Sequence, residues 1–168
     1  RYVVLRMRLT DAPSSLTLTY PGMLCGHGFV CGICSIFRNS LYAGVGEGQL
    51  PYDAWGLLSL HCPTVETSIE LTQRHGVAEA FHCVLADEHG GIAGIENGKG
   101  GTAVLRARDG IYTHANTCSS NDDLRQYEEV TAEYLRNSQH RENRLRHKLE
   151  ADRGRLTAQL VFAALCDH

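Results

Sequence analysis

Two stretches of the chain hold side chains whose types and spacing could do chemistry. The first is Tyr112-Thr113-His114-Ala115-Asn116-Thr117-Cys118. In an extended strand successive side chains alternate between faces, so Tyr112, His114 and Asn116 would share one face and Ile111, Thr113 and Ala115 the other. A phenol, an imidazole and an amide gathered at the far end of a core strand are well placed to line a site. The same asparagine could instead form a turn, because its side chain readily bonds nearby backbone. The second stretch is Cys25-Gly26-His27, followed by Cys31 and Cys34. Sulfur and imidazole ligands at such spacing could hold a tetrahedral zinc. A strand from Phe29 to Phe37 would instead point residues three apart to opposite sides, leaving these cysteines as small apolar residues. On that reading no metal and no other cofactor is expected.

Two further groups are less specific. Lys99 lies among Gly98, Gly100 and Gly101 without the spacing or the terminal hydroxyl of a phosphate loop, so a hairpin loop is expected there. The arginine-rich run from Arg141 to Arg155, mixed with Glu142, Glu150 and Asp152, reads as a solvated helical face with ion pairs. Contact with an anionic substrate or a coenzyme phosphate is the alternative for it.

The elements that must position these residues fall in blocks. Residues 2–9 and 16–20 read as strands around an Asp11-Ala12-Pro13-Ser14 turn. The stretch from Pro21 to Gly48 is dense in glycine, as where strands pack closely or bend, and Phe29 to Phe37 is its strand. Pro51 opens a helix with Ala54, Leu57, Leu58 and His61 at helical spacing. Pro63-Thr64 restarts the chain into a second helix, whose inner face is Val65, Ile69 and Thr72 and whose end is Gly76. Four strands follow, Phe81–Ala86, Ile92–Glu96, Ala103–Ala107 and Ile111–Ala115, as an antiparallel meander. Its last turn, Asp109-Gly110, is a two-residue hairpin signal. Beyond it Leu124, Tyr127, Thr131 and Leu135 make one helical stripe, Gly154 ends an arginine-rich helix, and Thr157 caps a final one. Strands and helices in separate blocks predict an α+β fold. Residues 1–168 read as one partial domain, with mixed strands and helices over 1–116 and a helical segment over 122–168.

Composition narrows the function classes. The chain has 168 residues and a formal net charge of −3, which provides no global basic field for nucleic acid. No stretch approaches the roughly 20 apolar residues of a spanning helix, and no secretory leader is visible, so no membrane partner is expected. Seven scattered cysteines, an odd number, argue for reduced thiols and a cytoplasmic location over a disulfide framework. Arg1 is not an initiator, and the chain stops straight out of an apolar helical pattern at Cys166-Asp167-His168, so both ends read as cut.

In several places the order of motifs resembles the acyl-coenzyme A:isopenicillin N (6-aminopenicillanic acid) acyltransferase family, the C45-type peptidases. Tyr20-Pro21-Gly22-Met23, Gly26, Gly28 and Asn39-Ser40-Leu41 are similar to its glycine-bearing strand pair and Asn-x-Leu stretch. Pro51 with two helices and the meander over 80–116 follow in the family's order, and Leu165-Cys166-Asp167-His168 is similar to its Leu-x-Asp-His segment. The resemblance implies an N-terminal nucleophile hydrolase, a four-layer αββα sandwich of which this chain would be an incomplete part. It implies a cysteine nucleophile, freed by self-cleavage, whose own α-amino group is the base. It also implies an asparagine in the oxyanion hole, and the matching residue is Asn116. Tyr112, His114 and Asn39 are the expected substrate-binding residues, and the substrate would be a small acyl amide or acyl thioester. The resemblance departs in that the nucleophile and a following aspartate would precede Arg1, a later arginine would follow His168, and Thr117 stands where the family has histidine. The alternatives are a non-catalytic, zinc-stabilised interaction module built on Cys25, His27, Cys31 and Cys34, and a degenerate relative acting as a scaffold.

Overall fold

The computed structural model describes residues 2–23, 27–30, 34–120 and 122–167. Among these residues one seven-stranded sheet runs in chain order: β1 (Val3–Leu9), β2 (Ala12–Thr19), β3 (His27–Val30), β4 (Cys34–Ser40), β5 (Phe81–Asp87), β6 (Ile92–Gly98) and β7 (Gly101–Arg106). Every neighbouring pair is antiparallel. The first turn is tighter than the sequence suggests. Ala12 already pairs with Leu9, and Pro13 sits in the irregular register just beyond, where a residue without an N–H breaks no ladder bond.

Two helices connect β4 to β5, α1 (Tyr52–Leu60) and α2 (Val65–His75). Thr64 caps α2 by accepting from the Thr67 amide, and Gly76 closes it. The predicted inner face of α2 is the observed one, with Ser68 added. That of α1 is corrected: Tyr52, Trp55, Gly56, Ser59 and Leu60 are buried, whereas Leu58 is half exposed. The aromatic rings decide this orientation. Trp55 is fully buried 4.9 Å from the Phe81 ring, and its indole N–H reaches Thr72 Oγ1 at 2.7 Å. Burial of such a side chain dominates the choice of helix face. Ile36, Cys83, Leu85, Ala93 and Ile95 meet the two helices from the sheet.

Three sequence expectations are overturned. The single strand Phe29 to Phe37 is two strands, because Phe29 pairs with Ser35 and Gly28 with Ile36. β3 and β4 are therefore antiparallel neighbours; residues 31–33 lie outside the described residues. The face argument against a zinc cluster loses its premise; Cys25 and Cys31 also lie outside the described residues. The helical stripe through Leu124 and Leu135 is likewise broken. A four-residue helix, α3 (Asp122–Arg125), ends early, and Thr131 caps a separate helix, α4 (Ala132–Ala151), with its side chain on the Tyr134 amide. Thr157 caps α5 (Ala158–Leu165) as expected, by accepting from the Leu160 amide.

The third correction bears on the site. The Asp109-Gly110 turn forms, with φ of 50° and 76° and both Arg108–Ile111 backbone bonds at 3.0 Å. Ile111–Ala115, however, is not a strand; its pairing stops at the single bridge Arg108↔Ile111. The segment leaves the sheet edge and crosses the face of β4, β5 and β6, where side chains rather than a ladder hold it. Its alternation survives: Ile111, Thr113, Ala115 and Thr117 are buried, and Tyr112 and Asn116 are partly so.

Candidate active site

Register brings the site's base together. Asn39 lies opposite His82, and His82 opposite Glu96, so three polar side chains form one row across β4, β5 and β6. They occupy the face away from α1 and α2, one residue out of step with the apolar Cys83 and Ile95. The crossing segment lays Tyr112 and His114 on this row. The His82 and His114 rings stack 3.5 Å apart at 8°, and Tyr112 lies nearly parallel, 5.7 Å from His82. This approach requires Gly94, where an added Cβ would fall 1.8 Å from the Tyr112 hydroxyl.

Hydrogen bonds fix the protons. Asn39 Oδ1 can only accept, so His82 carries its proton on Nδ1 and donates to it. His82 Nε2 then accepts from the Tyr112 hydroxyl at 2.8 Å. Burial, reinforced by the neighbouring His114, holds His82 well below the usual imidazole range, consistent with a neutral ring. Burial likewise pushes the Tyr112 phenol up, so it remains a donor. Asn39 Nδ2 donates to the Ala115 carbonyl and lies 3.5 Å from His114 Nδ1.

Glu96 anchors the far side. Its fully buried carboxylate accepts from His114 Nε2 at 2.6 Å, from the Ser119 amide and hydroxyl at 2.7 and 2.9 Å, and from the Ser120 amide at 3.0 Å and hydroxyl. Burial alone would raise its pKa, but these donors, His114 foremost, outweigh it and hold the group at about 2. A buried charge is tolerable only when paired and hydrogen-bonded, as here.

Asn116 sits beyond this network, between β4 and α4. Its backbone N–H donates to Ser138 Oγ at 2.9 Å, and its Nδ2 to the Ser40 carbonyl at 3.2 Å. Both terminal nitrogens of Arg141 lie 3.3 Å from its Oδ1. Thr117, buried beside it, shares a 3.0 Å bond with Ser138. A cleft of about 490 Å³ opens here, lined by His114, Ala115, Asn137, Arg141, Leu145 and Leu165. A second of about 290 Å³, on which Asn39 and Ser40 border, includes Tyr20, His27 and Tyr52. Cys118, two residues past Asn116, is a buried thiol; burial, with Glu128 and Glu96 nearby, pushes it up to about 12. Such a thiol is a poor nucleophile near neutrality. Among the described residues no group of three or more His, Cys, Asp or Glu side chains could hold a metal. No helix among them is long and apolar enough to cross a membrane.

The structure thus gathers Tyr112, His114 and Asn39 into one network and puts Asn116 at its border. Sequence reasoning missed His82, Glu96, Ser138 and Arg141. His82 and Glu96 left a faint signal, being polar groups at alternating positions in otherwise apolar strands.

A family model described as acyl-coenzyme A:6-aminopenicillanic acid acyl-transferase matches residues 14–162. No curated protein matches the sequence. Among solved structures, penicillin V acylase from Agrobacterium tumefaciens is similar at a TM-score of 0.59 and 14% identity, over 95% of this chain and 56% of that one. A mutant of conjugated bile acid hydrolase from Clostridium perfringens is similar at 0.65 and 14%, over 94% of this chain and 64% of that one. A second variant of that hydrolase gives 0.63 and 13%, over 98% and 69%. The chain thus spans 56% and 64% of the length of the first two. The shared fold is the α+β fold of the N-terminal nucleophile hydrolases. Of its layers, the described residues build one sheet and the helical layer α1–α2.

Proposed function

The chain belongs to the acyl-coenzyme A:6-aminopenicillanic acid acyl-transferase family, and on that premise we propose that it forms the oxyanion-stabilising part of an acyltransferase or amidohydrolase acting on small acyl amides or acyl thioesters. Residues 1–168 are, in this proposal, one partial domain, and the nucleophile is an N-terminal cysteine in a segment outside them. The state of Cys118 supports this: it is buried, its pKa is pushed up to about 12, and it has no free amine of its own. The observation that carries the reading is Asn116, an amide donor held from three sides next to Ala115 and Arg141, which line a cleft.

The chemistry follows from that arrangement. The α-amine of the nucleophilic cysteine takes the thiol proton, and the sulfur adds to the substrate carbonyl. Negative charge collects on the carbonyl oxygen, which Asn116 Nδ2–H stabilises without reorganising. Collapse breaks the C–N or C–S bond, the leaving amine or thiol takes the proton from the α-ammonium, and an acyl-enzyme remains. Water or an acceptor amine then completes hydrolysis or transfer. Tyr112, His114 and Asn39 shape the substrate-binding wall; His114 borders the larger cleft and Asn39 the smaller. The enzyme would work in the cytoplasm, where thiols such as Cys62 and Cys166 stay reduced.

The test is to challenge the complete protein, and residues 1–168 alone, with chromogenic acyl amides and acyl thioesters while following intact mass. Turnover and an acyl adduct on the complete protein's N-terminal cysteine are expected, with background rates from residues 1–168. Thiol-sensitive turnover by residues 1–168 would contradict the placement of the nucleophile.

A further inference from the structure

Helix α4 approaches the crossing segment through Asn137, Ser138 and Arg141, residues that an α-helix brings to neighbouring surface positions. Ser138 is fully buried and receives the Asn116 backbone N–H, which fixes where the asparagine stands. Arg141 fixes how its amide is turned. Both terminal guanidinium nitrogens reach Asn116 Oδ1 at 3.3 Å, while Nε donates to Asn137 Oδ1 at 2.9 Å and braces the guanidinium. A guanidinium has five N–H donors and no acceptor, so only the oxygen end of the amide can face it. The nitrogen end must then face away. One of its protons goes to the Ser40 carbonyl at 3.2 Å, and the other has no acceptor among the described residues. Reversal of this amide would turn a carbonyl oxygen toward a developing oxyanion, converting attraction into repulsion. Arg141 pairs with no carboxylate among the described residues, unlike Arg144, which binds Asp167 at 2.5 Å, and Arg146, which binds Glu142 at 3.0 Å. Its positive charge lies on neutral amide oxygens instead, where it draws electron density from Oδ1 and makes Nδ2–H a stronger donor.

We propose that Arg141 is a positioning residue for catalysis: it locks the Asn116 amide with Oδ1 toward α4 and Nδ2–H toward the reacting carbonyl, and polarises it for that task. The inference rests on the reading of Asn116 as the oxyanion donor. Arg141 touches no reacting atom; it acts through Asn116.

The experiment compares Arg141→Ala, Arg141→Met, Asn116→Ala and the double variant Asn116→Ala/Arg141→Ala in the complete, matured protein. Loss of one oxyanion donor lowers kcat by about 10²–10³, and loss of its lock should lower kcat by roughly 10-fold with KM little changed. Arg141→Met keeps the aliphatic stem and should behave like Arg141→Ala, separating the guanidinium's role from packing on α4. Guanidinium ion at low, non-denaturing concentration should restore part of the kcat of Arg141→Ala, which a merely structural role would not allow. The double variant should be no slower than Asn116→Ala, because Arg141 has nothing left to position. Parental kcat in Arg141→Ala alongside a slow Asn116→Ala would overturn the role of Arg141 alone. So would losses that multiply in the double variant. Parental kcat in Asn116→Ala would remove the oxyanion reading itself, and this inference with it.

Discussion

The two faces of the central sheet are one residue apart in sequence and opposite in chemistry. Along β5, Phe81, Cys83 and Leu85 point into the apolar layer beneath α1 and α2, whereas His82 points to the other side and joins Asn39, Glu96, Tyr112 and His114. On the first face contacts are numerous, non-directional and tolerant of chemistry so long as volume is kept. On the second each side chain has a defined donor or acceptor role, and a change in one leaves another buried group without a partner. The first face stabilises the fold by apolar burial. The second uses burial to hold protons and amides in one arrangement, which is what a preorganised site needs.

The comparison can be broken most forcefully from the apolar side. Trp55→Ala should cost about 3–5 kcal/mol of stability by leaving a cavity against Phe81 and removing the indole N–H that Thr72 Oγ1 accepts. Denaturant unfolding measures this. If unfolding shows under about 1 kcal/mol lost, the sheet does not depend on this layer as described.

Next in size is Glu96→Gln. The amide cannot accept from all the donors of His114, Ser119 and Ser120, so about 2–4 kcal/mol should be lost although the shape is nearly unchanged. An isosteric change as harmless as a surface substitution would mean that the polar face is not a connected network.

The polar face should also carry the acid sensitivity, with a smaller effect per pH unit. His82 is held well below its ordinary 6.5, so on acidification below about 6.5 the unfolded chain binds a proton that the folded state refuses. Stability then falls with falling pH by up to about 1.4 kcal/mol per pH unit. Glu96 acts in the same direction at lower pH: from its ordinary 4.5 toward about 2 the unfolded state protonates while the folded carboxylate stays charged. In His82→Gln the slope between pH 6.5 and 5 should flatten, as read from thermal melts across that range. A slope that persists unchanged in the variant would assign the proton uptake to another group.

The smallest effect expected is at a helix end remote from both faces. Thr157→Ala removes the side chain that accepts the Leu160 amide and should cost about 1 kcal/mol by chemical denaturation, without touching kcat. A fall in kcat would tie the Thr157 end of α5 to the chemistry.

Legibility in the sequence followed the same division. β5, β6 and β7 were readable because apolar residues alternate between glycine-marked turns, and the Asp109-Gly110 hairpin was readable from its own chemistry. The reversal inside Phe29–Phe37 was not, since a continuous apolar run looks alike whether it passes straight on or folds back. Ile111–Ala115 kept the alternation of a strand yet left the sheet. The cause lies elsewhere in the chain, in the space over Gly94 that admits the Tyr112 ring. His82 is a single imidazole in an apolar strand, and nothing local reveals that Asn39 and Glu96 flank it across the sheet. Arg141 was hidden for a different reason. It sits in a run of arginines that reads as solvated, and only the fold shows that this one contacts amides where Arg144 and Arg146 meet carboxylates. The family resemblance supplied Asn116, which periodicity alone left between a site and a turn.

The most direct test of the central claim is Asn116→Ala in the complete, matured protein, with kcat and melting temperature measured on the same preparation. An oxyanion donor should cost about 10²–10³ in kcat, or roughly 3–4 kcal/mol of transition-state stabilisation. Because Ser138 holds the Asn116 backbone and not its side chain, the melting temperature should fall by only a few degrees. A folded, matured variant that keeps near-parental kcat, or one that loses melting temperature while turning over normally, would make Asn116 a structural residue and contradict the account.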